Sequence, residues 1–203
     1  MKVLSKTDEG LYTEKKSRFI CHLKHVSSIE EANDFILSEK KKYFDAKHHC
    51  SAYILGDNGE ICRANDDGEP SGTAGKPILE ILTHEELTDV VCVVTRYFGG
   101  TLLGTGGLVR AYSESVKDAL SKSDYKVRKE ACIYRIKYAY SFDSSVMKCL
   151  KEYNVEPVLK EYTDYVQMEI RIPSEFADIK NRLIDITNNS VSFLSEEISV
   201  ILI

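Results

Sequence analysis

Glycine crowds one short stretch of the chain, TRYFGGTLLGTGGLVRAY at residues 95–112. Gly99, Gly100, Gly104, Gly106 and Gly107 are five of only eleven glycines. Inside a helix or strand a glycine costs about 0.5–1 kcal/mol against alanine, so such crowding needs a local cause. One cause is a tight turn closed to other residues; the other is a group that must approach the backbone closely. The stretch leads from an apolar run into a helical pattern. Amides at a helix start, bare of Cβ atoms, form an anion site. Arg96 before the loop and Arg110 beyond it add charge-assisted donors, and Thr101 and Thr105 add hydroxyls. Phosphate or a nucleic-acid backbone is the ligand this chemistry suits. The spacing matches neither GxxxxGK[ST] nor a clean GxGxxG, so the bare-turn alternative stays open.

A second glycine loop, DDGEPSGTAGKP at 66–77, holds Gly68, Gly72 and Gly75, so the two loops share eight of the eleven glycines. Asp66, Asp67 and Glu69 fit two roles, holding Mg²⁺ beside a phosphate or capping turns by accepting backbone N–H groups. Pro70 and the absence of an EF-hand spacing favour capping. Tyr97 and Phe98 end the preceding strand, where alternation sends one ring each way. One ring is thereby available to stack on a base, unless both cover the core edge.

Other chemistry finds little support. Six cysteines, at 21, 50, 62, 92, 132 and 149, form no CxxC or zinc-type spacing, which suggests free, mostly buried thiols in a reducing cytoplasm. All five histidines precede residue 85 and assemble no ligand set. His48 is a conceivable general base, though a structural role near the sheet edge is the simpler reading. No GxSxG or HExxH element is present. No catalytic residue is assigned, and neither a metal nor a cofactor is expected.

The elements that must hold these loops follow from periodicity. Residues 16–26 suggest a strand, and Ser28 with Glu31 suggests a capping box opening a helix with Ala32, Phe35, Ile36 and Tyr43 on its apolar face. Lys40, Lys41 and Lys42 close that helix, where cations complement its C-terminus. Strands at 48–56 and 60–65 flank Asp57-Asn58-Gly59, a hairpin signal. A short helix is expected around Ile78–Leu82, a central strand at 89–98, and a helix from about Leu108 to Ser121 with Leu108, Tyr112, Val116, Ala119 and Leu120 inward. After a polar connector at 121–130 a second pattern begins. It comprises a strand at 132–140, a helix capped by Asp143, an edge strand at 155–162 marked by Pro157, an alternating strand at 165–172, a helix opened by Ser174, and a last strand from Val191. That order is β-α-β-β-α-β, the ferredoxin-like split βαβ unit. The fold class is thus α+β in two domains, 1–130 and 131–203.

Composition sets bounds. The chain has 203 residues, 43% hydrophobic and 29% charged, which suits a globular protein that buries a core. Net charge is −5, with 19 Lys+Arg against 21 Asp+Glu through residue 130 and 8 against 11 beyond it. No global cationic field draws the chain onto nucleic acid or lipid, so polyanion binding has to rest on a local patch. No run approaches the ~18–20 apolar residues of a membrane span, and the first residues do not resemble a signal peptide. A cytoplasmic location without membrane partners is expected.

The stretches RANDDGEPSGTAGKPIL and VVTRYFGGTLLGTGGLVRAYSES closely resemble the signature of the IMPACT family, and the resemblance covers essentially the whole chain, in its bacterial, YigZ-like branch. It implies an N-terminal domain of the UPF0029 type with the βαβ fold of a ribosomal protein's second domain. It also implies a C-terminal domain similar to the last domain of elongation factor G. Members of the eukaryotic branch look like translation regulators acting by protein–protein contact, and that branch carries a different extra domain, absent here. Carried over by motif, the implied functional surface comprises Asp66, Asp67, Gly68, Glu69, Pro70, Gly72, Arg96, Tyr97, Phe98, Gly99, Gly100, Gly104, Gly106, Gly107 and Arg110, with His48 nearby. The leading expectation is a non-enzymatic, translation-associated regulator that binds RNA, the ribosome or a ribosome-associated protein through this surface. Two alternatives are an enzyme on a small phosphorylated substrate or nucleotide and a small-effector sensor in the second domain. The first alternative lacks the Pro-x-x-x-Gly-Leu-Gly-Ser-Ser loop of small-molecule kinases with a related fold.

Overall fold

The computed structural model describes residues 1–7 and 9–202. The chain is mixed α+β and divides into two compact units, Met1–Val127 and Arg128–Ile203.

In the first unit the strands are β1 (Lys2–Lys6), β2 (Gly10–Glu14), β3 (Ser17–His25), β4 (His48–Leu55), β5 (Ile61–Asn65) and β6 (Val90–Tyr97). The helices are α1 (Ile29–Lys42), α2 (Gly75–His84) and α3 (Gly104–Ser121). Five strands form an antiparallel sheet in the order β2-β3-β6-β4-β5. Central β6 is buried from Val90 to Arg96 because both of its faces are covered. Val91 and Val93 join Val26, Ala32, Tyr53 and Leu55 under α1. Val90, Cys92 and Val94 join Phe19, Ile78, Leu82, Leu108 and Tyr112 beneath α2 and α3. That double coverage is why the run reads as continuously apolar.

Local chemistry explains the element ends. Ser28 Oγ accepts the Glu31 N–H at 3.1 Å. The Glu31 carboxylate accepts from the Ser27 N–H at 2.7 Å rather than from the cap residue itself, so the reciprocal half of the box is shifted by one position. The β4–β5 turn uses Gly56 and Gly59 at positive φ, +99° and +71°.

The second unit contains most of β7 (Asp124–Tyr138), then α4 (Asp143–Glu152), β8 (Pro157–Tyr162), β9 (Val166–Pro173), α5 (Ile179–Ile186) and β10 (Ser192–Leu202). The strand order is β10-β7-β9-β8 with every neighbour antiparallel. Ile136, Tyr138, Val146, Leu150, Val166, Met168, Ile170, Ile179 and Leu183 make one core.

Several expectations are corrected. Strands β1 and β2 carry no strong pattern, yet Val3 and Leu4 are buried, and Lys2 to Lys6 pair with Asp124–Val127 of β7. The polar stretch at 124–130 is therefore strand, not connector. Helix α3 starts at Gly104 rather than near Leu108, which puts Gly104, Gly106 and Gly107 in its first turn. Asp143 is the first residue of α4 and not its cap; its carboxylate accepts from the Tyr138 hydroxyl at 2.8 Å and meets Lys160 at 2.9 Å. Ser174 opens a single 3-10 turn, and α5 follows from Ile179. All six cysteines are free thiols, with Cys21, Cys50, Cys92 and Cys149 buried. No helix of the described residues is long and apolar enough to cross a membrane.

Candidate functional site

The acidic loop spends its charge inward. Chain reversal after β5 places Asp67 at φ +44° and Gly68 at φ +86°. Helix α2 lacks a side-chain cap from Ala74, and Asp66 supplies one from upstream. Its carboxylate accepts the N–H groups of Gly72 at 2.8 Å, Ala74 at 3.0 Å and Gly75 at 2.8 Å. Burial opposes its ionisation, but these amides outweigh burial and hold the carboxyl below its ordinary range. Gly75 is glycine for packing, since a Cβ there would lie 2.6 Å from the Asn65 nitrogen.

The neighbouring carboxylates are committed too. Asp67 accepts from Lys40 Nζ and from the His49 N–H, each at 2.7 Å. His48 Nδ1 donates to the Asp67 carbonyl at 2.8 Å, so His48 clasps the loop. Glu69 is buried and takes Arg96 Nη1 at 2.5 Å and the Tyr112 hydroxyl at 2.9 Å. Pro70 is exposed, and its carbonyl accepts from the Thr73 hydroxyl at 2.6 Å. Among the described residues no three His, Cys, Asp or Glu side chains gather as a metal site would require.

Arg96 thus joins the two loops, and it does so from inside. It is only 6% exposed, with its guanidinium 5.5 Å from the Phe19 ring centroid and 5.6 Å from that of Phe98. Cys50 Sγ lies 3.0 Å from the Asp66 carbonyl and 3.2 Å from the Tyr112 oxygen. Burial pushes the Cys50 thiol and the Tyr112 phenol well above their ordinary ranges, which keeps both protonated. A buried, protonated thiol is a packing group and not a nucleophile. Arg96 and Glu69 are therefore the buckle of the site rather than groups facing a ligand.

The β6–α3 connection faces outward instead. Tyr97 turns to Asp45, donating its hydroxyl at 2.6 Å; that bond raises its phenol to about 12. Phe98 is 56% exposed and Leu102 82%. Gly99 donates its N–H to Ser17 Oγ at 3.0 Å, and a Cβ there would lie 2.2 Å from the Lys16 carbonyl carbon. Gly100 and Gly104 take φ of +84° and +73°, and nothing lies within 4 Å of where their Cβ atoms, or that of Gly106, would stand. Leu103 provides no side-chain cap, so the first-turn amides of α3 have no such acceptor. Gly106, Gly107 and Arg110 share one helix face, and Arg110 is exposed.

Contact at Gly99 brings in residues that no local signal marks. The β2–β3 turn, Lys15 and Lys16 at φ +47° and +67°, lies against Gly99 with both residues exposed. No ion pair among the described residues involves Lys15, Lys16 or Arg110. A basic turn some eighty residues upstream thus abuts the glycine loop; only a paired-strand topology reveals it.

The family model of the Impact N-terminal domain matches residues 15–120, a span that contains both loops, the buckle and the basic turn. The chain belongs to the IMPACT family. The IMPACT family member YvyE of Bacillus subtilis (strain 168) is 40% identical over 195 residues, covering 91% of this chain and 89% of that protein. Its counterpart YigZ of Escherichia coli (strain K12) is 34% identical over 186 residues, covering 90% and 91%. A crystal structure of a hypothetical protein, 31% identical, aligns over 97% of each chain with a TM-score of 0.61. Each of these three similarities takes in both units of this IMPACT-family chain.

Proposed function

We propose that this protein is a non-enzymatic, translation-associated regulator that binds the phosphate backbone of RNA, on or off the ribosome. The contact surface is the β6–α3 loop together with the β2–β3 turn. One observation carries the reading: three exposed cations without ion pairs, Lys15, Lys16 and Arg110, border a glycine loop that enters a helix with no side-chain cap. Amides at a helix start and unpaired ammonium and guanidinium groups recognise the same thing, a phosphate oxygen. Exposed Phe98, backed by the Arg96 guanidinium, adds a ring on which a base can stack. The translational setting comes from the family resemblance.

The test is cosedimentation with ribosomal particles and binding of labelled single-stranded RNA, each across a salt series. Binding is expected to fall as salt rises, and the double variant K15Q/K16Q should reduce the log–log slope by about 1–2. Phe98→Ala should weaken binding with the slope unchanged. Retention that ignores salt, or absence of the protein from both particles and RNA at low salt, overturns the reading.

A further inference from the structure

Among the described residues five strands lie at sheet edges, and four of these edges are blunted. At β2, Asp118 of α3 takes the Leu11 N–H at 2.8 Å, and the helix lies so close that a Cβ on Gly10 would sit 2.4 Å from the Ser115 carbonyl oxygen. At β1 the outer side of Lys2 is taken by the Glu86 carbonyl and the Thr88 N–H, and the register breaks between Leu4 and Lys6. Edge β8 opens on Pro157, carries a bulge before Leu159 and exposes Glu161, while Lys160 turns in to Asp143. Edge β10 has a bulge between Phe193 and Ser195 and consecutive Glu196 and Glu197. These are the devices by which sheets avoid unwanted pairing.

Strand β5 is the least guarded: it has neither bulge nor proline and carries a single charge, although α2 closes on its last residue, where a Cβ on Gly75 would lie 2.6 Å from the Asn65 nitrogen. All five residues, Ile61-Cys62-Arg63-Ala64-Asn65, are exposed, and the register with β4 runs without a bulge or proline. Among the described residues no backbone hydrogen bond reaches β5 from its outer side. Beside it, on the α1 face, lies a groove of about 350 Å³ lined by Asn33, Ile36, Ser51, Tyr53, Arg63 and Asn65. Arg63 is the strand's one charge, and among the described residues it makes no ion pair.

We propose that β5 is a docking edge that accepts an extended, acidic segment of a partner protein as a sixth strand, with a carboxylate set opposite Arg63. The ladder supplies main-chain bonds, and alternate side chains of the added strand stand over the groove. A second copy of this chain fits worse. The only register that pairs all five residues of two β5 strands about a two-fold axis opposes Arg63 to Arg63, and like charges directly opposite are destabilising. This inference stands apart from the RNA reading, because Arg63 and the loop cations are varied separately.

The probe is the full chain titrated with acetyl-Thr-Val-Thr-Glu-Thr-Val-Thr-amide, and with the same peptide carrying Lys for Glu. Amide hydrogen exchange is read residue by residue. The Glu peptide at about 1 mM is expected to slow exchange at alternate β5 amides by at least about tenfold, an effect the Lys peptide should lack. In Arg63→Glu, an exposed change, the preference should reverse. Absence of β5 protection, or equal protection by both peptides, overturns the proposal. Protection that grows with protein concentration alone, alongside a dimer by light scattering, overturns it in favour of self-pairing.

Discussion

Asp66 shows how one carboxylate can be misread as a ligand. Three amides converge on it, two of them belonging to glycines that also serve a turn and a tight packing contact. Its role can be measured by pH. A carboxyl held below its ordinary value in the fold contributes stability that is complete above the unfolded value of about 3.9. That contribution disappears as pH falls through the lower folded value. Asp66→Asn should therefore cost about 1–2 kcal/mol at pH 7 by denaturant unfolding, and the difference from the parent should shrink toward pH 3. A difference that stays constant with pH would remove Asp66 from the capping role.

Elements decide what each glycine is for. Gly99 exists because the Lys15–Ser17 backbone crosses it, so Gly99→Ala should lower stability by about 1–3 kcal/mol. Gly106, in an exposed helical turn with open space around it, behaves oppositely. Gly106→Ala should raise stability by about 0.5–1 kcal/mol in thermal unfolding while weakening RNA retention, because a methyl then stands over the amides.

This contrast also marks the reach of the sequence. A glycine run reads as special, but period and composition do not distinguish Gly99, excluded by a backbone eighty residues away, from Gly106, which nothing touches. Local signals carried well: the Ser28 cap and the Asp57–Gly59 turn are set by neighbours in the chain, and the continuous apolar run of β6 announces a strand covered on both faces. The Glu69–Arg96 buckle and the Lys15–Lys16 turn were invisible because strand pairing creates them. Strand β1 was invisible because five residues with two buried side chains make too short a pattern.

At the scale of the whole molecule, a net charge of −5 and a basic contact surface coexist without conflict. At physiological salt the Debye length is about 8 Å, so distant carboxylates are screened while Lys15, Lys16 and Arg110 act on what lies against them. Stability, by contrast, depends on the far end of the first unit. Leu4→Ala, at a site only 4% exposed, should cost about 2–4 kcal/mol in chemical unfolding, although Leu4 is remote in sequence from most of the core it joins.

The pairing of Lys2–Lys6 with Asp124–Val127 has a temporal meaning as well. A ribosome that has just released β1 still has more than a hundred residues to make before its partner strand exists. The ladder partner of β1 must wait through nearly the entire synthesis of its unit, although Leu4 shares its core with Phe19 and Leu23, which emerge soon after it. Closing so long a loop is entropically late and slow. Strand β1 is thus paired along its ladder late, after most of its unit has emerged.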